Sequence, residues 1–379
     1  MSLSTFKNVK VAGMVTVVPE HHINIDDEIE FYENSRKKLE RNKKILGLGT
    51  RHIVEDGTTM FELCEEAANI LIDEMKLDKQ EIDTIIFASI NHDYNGNADA
   101  CILQGNLGLS EETACIDTSG LGCTDIPYGI WLGHSLVQSR ASKKCLFVEG
   151  SLSSQITDKR NRNSNMLFGD GGAAVLLEYS DTESPSYFHM MSRGAEWKSI
   201  VTPAGGFRFP VREDITDIEL EDATGNPLRL WDSVMDGNAV FRFAIQAAPH
   251  SINTLLNFAD KTKDDIDFFA IHQANGQIVK TIINHGEIPK DKASSRTFTT
   301  FGNCGGTSVL MNLCHEAEGK TMDDVLMVSF GVGLSTASCI LNIKDTFNGG
   351  VRMFKTPPSQ KSRKALIDEW STFITDGAK

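Results

Sequence analysis

Cys123 lies at the centre of the stretch ACIDTSGLGCTDIPYGIWLGHSLV, Ala114 to Val137. The stretch begins as a strand, bends through Gly120 and Gly122, and presents its thiol just before an apolar helical segment. A helix N-terminus offers backbone N–H groups without partners and the positive end of the dipole. Both favour thiolate, the nucleophilic form of cysteine. The flanking glycines let the backbone turn sharply and a substrate come close. Cys123 is thus a candidate acyl-carrying nucleophile, against the competing reading of a small buried residue in a tight turn. His272 ends a buried strand and is followed by Gln273, Ala274 and Asn275. Asn303 lies in the Gly-rich turn FGNCGG. Taken singly, such a His is most often a satisfied interior side chain, and such an Asn a turn residue. Nothing marks Cys304, beside Asn303, as activated.

The elements around these residues follow an α/β pattern. Val9 to Val18 reads as a strand ended by Pro19, and Asp26 to Lys44 as a charged, helix-like stretch. Leu46 to Ile53 is Gly-rich and loop-like. Thr59 and Glu62 fit a capping box opening the helix MFELCEEAANILIDEM. Ile82 to Ile90 is apolar and β-branched, a strand buried on both faces; a helix from Ala98 to Leu107 leads into the Cys123 unit. Lys143 to Ser151 is a further buried strand, and Phe168 to Ser180 a turn followed by a strand.

The second half repeats this order. Asn238 to Leu256 matches the helix after Thr59, and KDDIDFFAIHQAN matches KQEIDTIIFASINH. Arg296 to Glu318 is expected to repeat the strand, turn and apolar helix of the Cys123 unit. DDVLMVSFGVG matches KKCLFVEGS, and Ser335 to Ile343 matches GAAVLLEYS. The offset is roughly 180 to 190 residues, too long for a solenoid, so the chain reads as a duplicated βα domain. Alternating strands and helices imply mostly parallel sheets covered by helices. The expected division is residues 1–180 as the nucleophile half, 181–237 as an insertion, 238–344 as the half carrying His272 and Asn303, and 345–379 as a C-terminal extension. The extension is broken at Pro357-Pro358 and followed by a short amphipathic stretch. Ligands of open α/β sheets gather at the carboxyl ends of strands. Equivalent loops of a duplicated fold therefore bring Cys123, His272 and Asn303 towards one pocket.

The 379 residues suffice for two or three domain-sized units, with 40% apolar and 23% charged side chains. No run approaches a membrane span, and the N-terminus lacks a signal-peptide layout. A formal charge of −15 argues against nucleic acid as the main partner. The eight cysteines are scattered, with no CxxC pair, which points to reduced thiols and a cytoplasmic location.

The motifs LGLGTRHI, GLGC, FGDGGAAVLL, HQAN, FGN and FGVGLSTAS occur here in an order that resembles the thiolase-fold condensing enzymes. The branch most similar is the type III β-ketoacyl-acyl-carrier-protein synthases, over about Val9 to Ile343. The resemblance implies a thiolase-like fold, with two duplicated βα halves packed as a layered αβαβα sandwich. It implies a Cys-His-Asn triad of Cys123, His272 and Asn303. The Cys123 N–H and one from the loop Gly331-Val332-Gly333 would form an oxyanion hole. Asn275, Arg51 and Arg162 would contact substrate. The chemistry implied is acyl transfer to Cys123, then decarboxylative condensation with a malonyl thioester. No metal or redox cofactor takes part; coenzyme A or acyl-carrier phosphopantetheine thioesters are the substrates. A homodimer acting with acyl-coenzyme A or acyl-carrier protein and malonyl-carrier protein is the implied assembly.

The sequence departs from that family in its donor-recognition positions. The Trp and Arg that hold the coenzyme A adenine are replaced by Arg41 and Ile45, and the Arg after HQAN by Gln277. Asp125 stands two residues after the nucleophile, where Gly is usual, and Pro127 fits a first helical turn. A specialised donor, carrier-bound and acidic, fits these changes. Lys159, Arg160 and Arg162, or Arg36 to Lys44, would supply its basic entrance. Two further readings are an acyltransferase acting on another oxygen, nitrogen or carbon nucleophile, and a catalytically silent partner subunit.

Overall fold

The computed structural model describes residues 2–161, 164–222, 224–357 and 361–376. Two mixed β-sheets organise the chain. The first has six strands in the order Phe347–Phe354, Val9–Pro19, Asp170–Tyr179, Lys144–Leu152, Thr84–Ala88, Ala114–Thr118. The second has five, in the order Leu3–Phe6, Ser186–Ser192, Ser335–Asn342, Asp324–Gly331, Phe268–Ile271. The duplication is visible in both. Each places its repeat's first strand beside an antiparallel pair, followed by a parallel strand at the far side.

The sheets are less parallel than the alternation implied. Lys144–Leu152 and Asp170–Tyr179 run antiparallel, as do Asp324–Gly331 and Ser335–Asn342. Among the described residues no helix intervenes between the members of either pair, and an antiparallel return needs no crossover.

Helices fill three layers. The outer face of the first sheet is covered by Met60–Glu74 and Asp99–Leu107. The outer face of the second is covered by Gly237–Phe258 and Gly276–His285. Asp125–Gln138 and Thr307–Glu316 lie between the sheets, contributing Ile126, Ile130, Val309, Leu310 and Leu313 to one shared core. This is the αβαβα sandwich. The central helices are apolar because both of their faces meet a sheet. Gly129 admits that approach: a Cβ there would stand 2.1 Å from the Phe147 ring.

Other expectations change in detail. The capping box of Thr59 and Glu62 is present. The stretch from Asp26 to Lys44 is two elements, Ile25–Tyr32 and Arg36–Leu46, parted where Glu33 and Asn34 take positive φ. Within the Gly-rich loop, Thr50–His52 pairs with His22–Asn24. The region read as an insertion opens with Ser186–Ser192, the first strand of the second sheet and the counterpart of Val9–Pro19. Ends of the chain exchange between sheets: Leu3–Phe6 joins the second, and Phe347–Phe354 of the C-terminal extension joins the first.

The strand expected before Asn303 is a helix, Arg296–Phe301. Phe298 and Phe301 stand three residues apart, which puts both on one helical face, and both are buried. Gly302, at φ 82°, ends the helix. Among the described residues, no helix is long and apolar enough to cross a membrane.

Candidate active site

The thiol turn follows the strand Ala114–Thr118. Gly120 and Gly122 adopt φ of 86° and 49°, which lets the chain double back within four residues. Cys123 then sits in a 3-10 turn, Gly122–Thr124, that runs into the helix Asp125–Gln138. The Thr124 hydroxyl lies 2.9 Å from that of Ser335, and Ser335 donates to the Val332 carbonyl at 2.6 Å. These bonds bind the thiol turn to the loop Gly331-Val332-Gly333. The Val332 and Cys123 N–H groups face the sulfur. Gly331 lies so close that a Cβ there would stand 2.8 Å from the Cys123 sulfur. Gly333, at φ 131°, completes the bend.

The expected resting thiolate is not what this environment favours. Burial pushes the Cys123 thiol up to about 12, and the nearby Asp125 and Glu149 carboxyls add to the rise. The two N–H groups act in the opposite direction but are outweighed. Desolvation of the charged form here exceeds what a helix terminus returns.

His272 is 1% exposed and follows the strand Phe268–Ile271. Burial lowers its pKa to about 3, so the ring is neutral at ordinary pH. Its Nδ1 lies 2.7 Å from Ser308 Oγ, which also accepts the Gln273 N–H at 3.2 Å. A Ser308 hydroxyl that donates to Nδ1 leaves the ring proton on Nε2. Phe330, next to Gly331, packs edge-on against the imidazole at 5.2 Å between centroids. The Gln273 side chain accepts from Phe298 N–H at 3.2 Å and donates to Ser294 at 3.1 Å, joining the loop after His272 to the helix before Asn303.

Asn303 is held through its backbone and through one side-chain atom. Its N–H donates to Leu167 and its carbonyl accepts from Gly169. Its Oδ1 accepts the Gly305 N–H at 3.1 Å, so Nδ2, a donor, is the atom left for other contacts. The FGDG motif supports this turn. Asp170, buried, accepts from Val54 N–H and from Ser154, and Gly169 passes close under Phe301.

These loops meet at the N-terminus of the helix Thr307–Glu316. Ser308 orients His272, Asn303 lies four residues before Thr307, and a Cβ at Gly306 would stand 2.7 Å from the Gly122 carbonyl. Ser308, Gln273 and Phe330 were not singled out from the sequence. Ser308 lies in the CGGTS run beside Asn303, and Gln273 and Phe330 lie within the HQAN and FGVG motifs.

The expected substrate contacts fare differently. Arg51 is 4% exposed and its guanidinium is paired with Glu28, one contact being 2.7 Å. It packs against Gly302, beneath the Asn303 turn, rather than towards solvent. Asn275 caps the helix Gly276–His285, its Oδ1 accepting the Ile278 N–H at 2.9 Å. Arg162 lies outside the described residues. Arg160 pairs with Asp158 and Glu219, while Arg36, Lys38 and Lys43 also have acidic partners. Lys37, Arg41 and Lys44 are exposed, at spacings that share one helix face. His92, Asp99 and Asp117 gather ligand atoms within 4.8 Å of one another. The Asp117 carboxylate accepts the N–H groups of Asp99 and Ala100, which caps the helix Asp99–Leu107.

Comparison with known proteins places this geometry. Residues 117–194 match the family described as 3-oxoacyl-[acyl-carrier-protein] synthase III, and residues 256–343 match its C-terminal part. The first match contains Cys123 and the second contains His272 and Asn303. A Campylobacter jejuni protein assigned as a 3-oxoacyl-[acyl-carrier-protein] synthase 3 is 32% identical over 92% of this chain and 98% of its own. A β-ketoacyl-[acyl-carrier-protein] synthase III of Syntrophomonas wolfei is 30% identical over 88% of this chain and 97% of its own. The crystal structure of a 3-oxoacyl-(acyl-carrier protein) synthase from Burkholderia xenovorans superposes with a TM-score of 0.84, covering 93% of this chain and 99% of that one at 26% identity. The chain belongs to the 3-oxoacyl-[acyl-carrier-protein] synthase III family of thiolase-fold enzymes.

Proposed function

We propose that this enzyme transfers an acyl group to Cys123 and condenses it with a malonyl thioester, releasing carbon dioxide. The observation that carries the reading is the meeting of a thiol, a neutral imidazole and an oriented amide at the N-terminus of one central helix. In the first step the Cys123 sulfur attacks the donor carbonyl, and the donor thiol leaves with the proton. The Cys123 and Val332 N–H groups stabilise the oxyanion. In the second, the malonyl carboxylate departs as carbon dioxide and leaves an enolate. His272 Nε2–H and Asn303 Nδ2–H donate to its oxygen. The α-carbon then attacks the acyl carbonyl, the C–S bond breaks, the Cys123 sulfur takes a proton from solvent, and a β-ketoacyl thioester is released. A neutral His272 suits this role, because decarboxylation calls for a hydrogen-bond donor and consumes no proton from the ring.

The replacements Arg41 and Ile45 favour a donor other than acetyl-coenzyme A. Lys37, Arg41 and Lys44 would meet the acidic surface of a carrier protein. The helix that bears them ends at Gly47, which touches Gly276 and whose carbonyl accepts the Thr299 hydroxyl, close to both site loops. The acyl group's onward fate, in fatty-acid or specialised chain synthesis, follows from the donor.

Intact-protein mass spectrometry tests the reading, with acyl-coenzyme A and acyl-carrier donors and wild type beside Cys123→Ala. An acyl adduct lost in the variant, followed by malonyl-dependent carbon dioxide release, is expected. An adduct that persists in Cys123→Ala, or one discharged by malonyl thioester without carbon dioxide, would overturn it.

A further inference from the structure

Two buried carboxyl groups stand beside Cys123 that the condensation chemistry leaves unused. Asp125, the first residue of the helix Asp125–Gln138, is 2% exposed, and neither carboxyl oxygen has a hydrogen-bond partner among the described residues. The Gly122 N–H lies near it without meeting hydrogen-bond geometry. An ionised carboxylate so placed is strongly disfavoured, whereas a neutral acid is tolerated.

Glu149, fully buried in the strand Lys144–Leu152, lies behind it. Glu149 Oε2 is 2.6 Å from the Thr307 hydroxyl, and Oε1 is 2.9 Å from that of Ser151. The Thr307 hydroxyl is also 3.2 Å from the Gly171 carbonyl. One hydroxyl carries one hydrogen. If that hydrogen goes to Gly171, the short contact to Glu149 requires a hydrogen on the carboxyl. A Cβ at Gly306 would stand 2.5 Å from Glu149 Oε1 and 2.7 Å from the Gly122 carbonyl, so the acid underlies the thiol turn.

The titratable groups facing this cluster come from several elements. Cys123 belongs to the same turn, Glu149 to the first sheet, and His272, neutral, reaches Ser308 from the second sheet. Asp170, at the start of its strand, is already satisfied by Ser154 and Val54. Cys145, Cys314 and Cys339 lie in the apolar core along the rest of the helix, with His134 on the helix itself.

We propose that Asp125 is a positioning residue for the nucleophile's proton: held as a neutral acid in front of buried Glu149, its charge state sets how readily Cys123 ionises. The proposal rests on the reading of Cys123 as the acyl-carrying nucleophile. As a neutral acid, Asp125 allows negative charge to develop on the sulfur during attack. Once ionised, it opposes a second charge beside it. In acyl transfer the S–H bond breaks, the S–C bond forms and the proton leaves on the donor thiol; Asp125 neither gains nor loses one. Burial raises the Asp125 carboxyl to about 8. The change of state therefore falls within reach of ordinary assay conditions.

The test is site-resolved iodoacetamide alkylation of the full chain across pH, read by peptide mass, with exposed Cys101 as the internal reference. It uses no acyl donor, so it answers even if acylation fails. Asp125→Asn should move the Cys123 midpoint down by about one pH unit, a roughly tenfold gain in rate at fixed pH. Asp125→Glu should restore the wild-type midpoint. Glu149→Gln should move it in the same direction by less. An Asp125→Asn profile that overlays wild type in a folded protein would overturn the proposal. If Asp125→Asn does not fold, an unmoved midpoint in Glu149→Gln does so instead.

Discussion

The Cys123 turn and the Asn303 turn occupy equivalent places in the two halves, yet they are built differently. Each delivers a polar side chain just ahead of a central helix between the sheets. The first comes off a strand, passes two left-handed glycines, and sets its thiol among buried carboxyls. The second comes off a short helix, is bridged to Phe168, and fixes its amide through Gly305. The duplication thus preserved where a functional group is presented, while the surroundings that decide its protonation and hydrogen bonding diverged. Under the proposed function, one turn carries a covalent bond and the other donates a hydrogen bond.

Removing the sulfur should have the largest effect. Cys123→Ala should take no acyl adduct from any donor by intact mass, whereas Asn303→Ala should still be acylated; equal loss in both would dissolve the distinction between the turns. Next is the support of the Asn303 turn. Arg51→Met leaves Glu28 buried without its partner, and urea unfolding should show a loss of about 3–5 kcal/mol. Asn303→Ala and His272→Ala each remove one proposed enolate donor. Malonyl-dependent carbon dioxide release should fall by about 2.7–4 kcal/mol of barrier, with acylation largely kept. A smaller effect is expected at the sulfur's neighbour. Gly331→Ala crowds Cys123 at 2.8 Å, and acylation should slow by about 1–3 kcal/mol of strain while the melting temperature moves little. The last concerns pH. The folded His272 stays neutral down to about 3, whereas an unfolded histidine takes up its proton near 6.5. Stability from this group is intact above that value and declines as pH falls through the window. Denaturation midpoints of His272→Asn should decline less between neutral and acid pH than those of wild type; parallel decline would mean the ring is not neutral in the fold.

Local signals in the sequence were enough for much of this. The capping box at Thr59, the apolar strands Thr84–Ala88 and Lys144–Leu152, and the Gly-x-Gly-Cys turn are written within a few consecutive residues. Their meaning needs no distant partner. The central helices were recognisable because a segment apolar on all sides has to be enclosed. What failed was non-local. Ser186–Ser192 is a strand because Ser335–Asn342 pairs with it, and Phe347–Phe354 is one because Val9–Pro19 does, more than three hundred residues away. Arg296–Phe301 resembled a strand by its aromatic and β-branched content, but its two phenylalanines are buried together only on a helix.

The site divides in the same way. The amino-acid order alone determined that a thiol, an imidazole and an amide stand at the ends of elements in a duplicated α/β chain. Side-chain type and backbone turns are properties of neighbouring residues. Only the tertiary structure decided their state. Cys123 rests as a thiol because burial disfavours its charge, with Asp125 and Glu149 adding to the effect, and burial keeps His272 neutral while Ser308, from another element, faces its Nδ1. Arg51 became a brace beneath the Asn303 turn because Glu28 folded against it. Protonation and hydrogen-bond direction depend on solvent exclusion and on partners far apart in the chain, and these exist only once the two sheets have closed on the central helices.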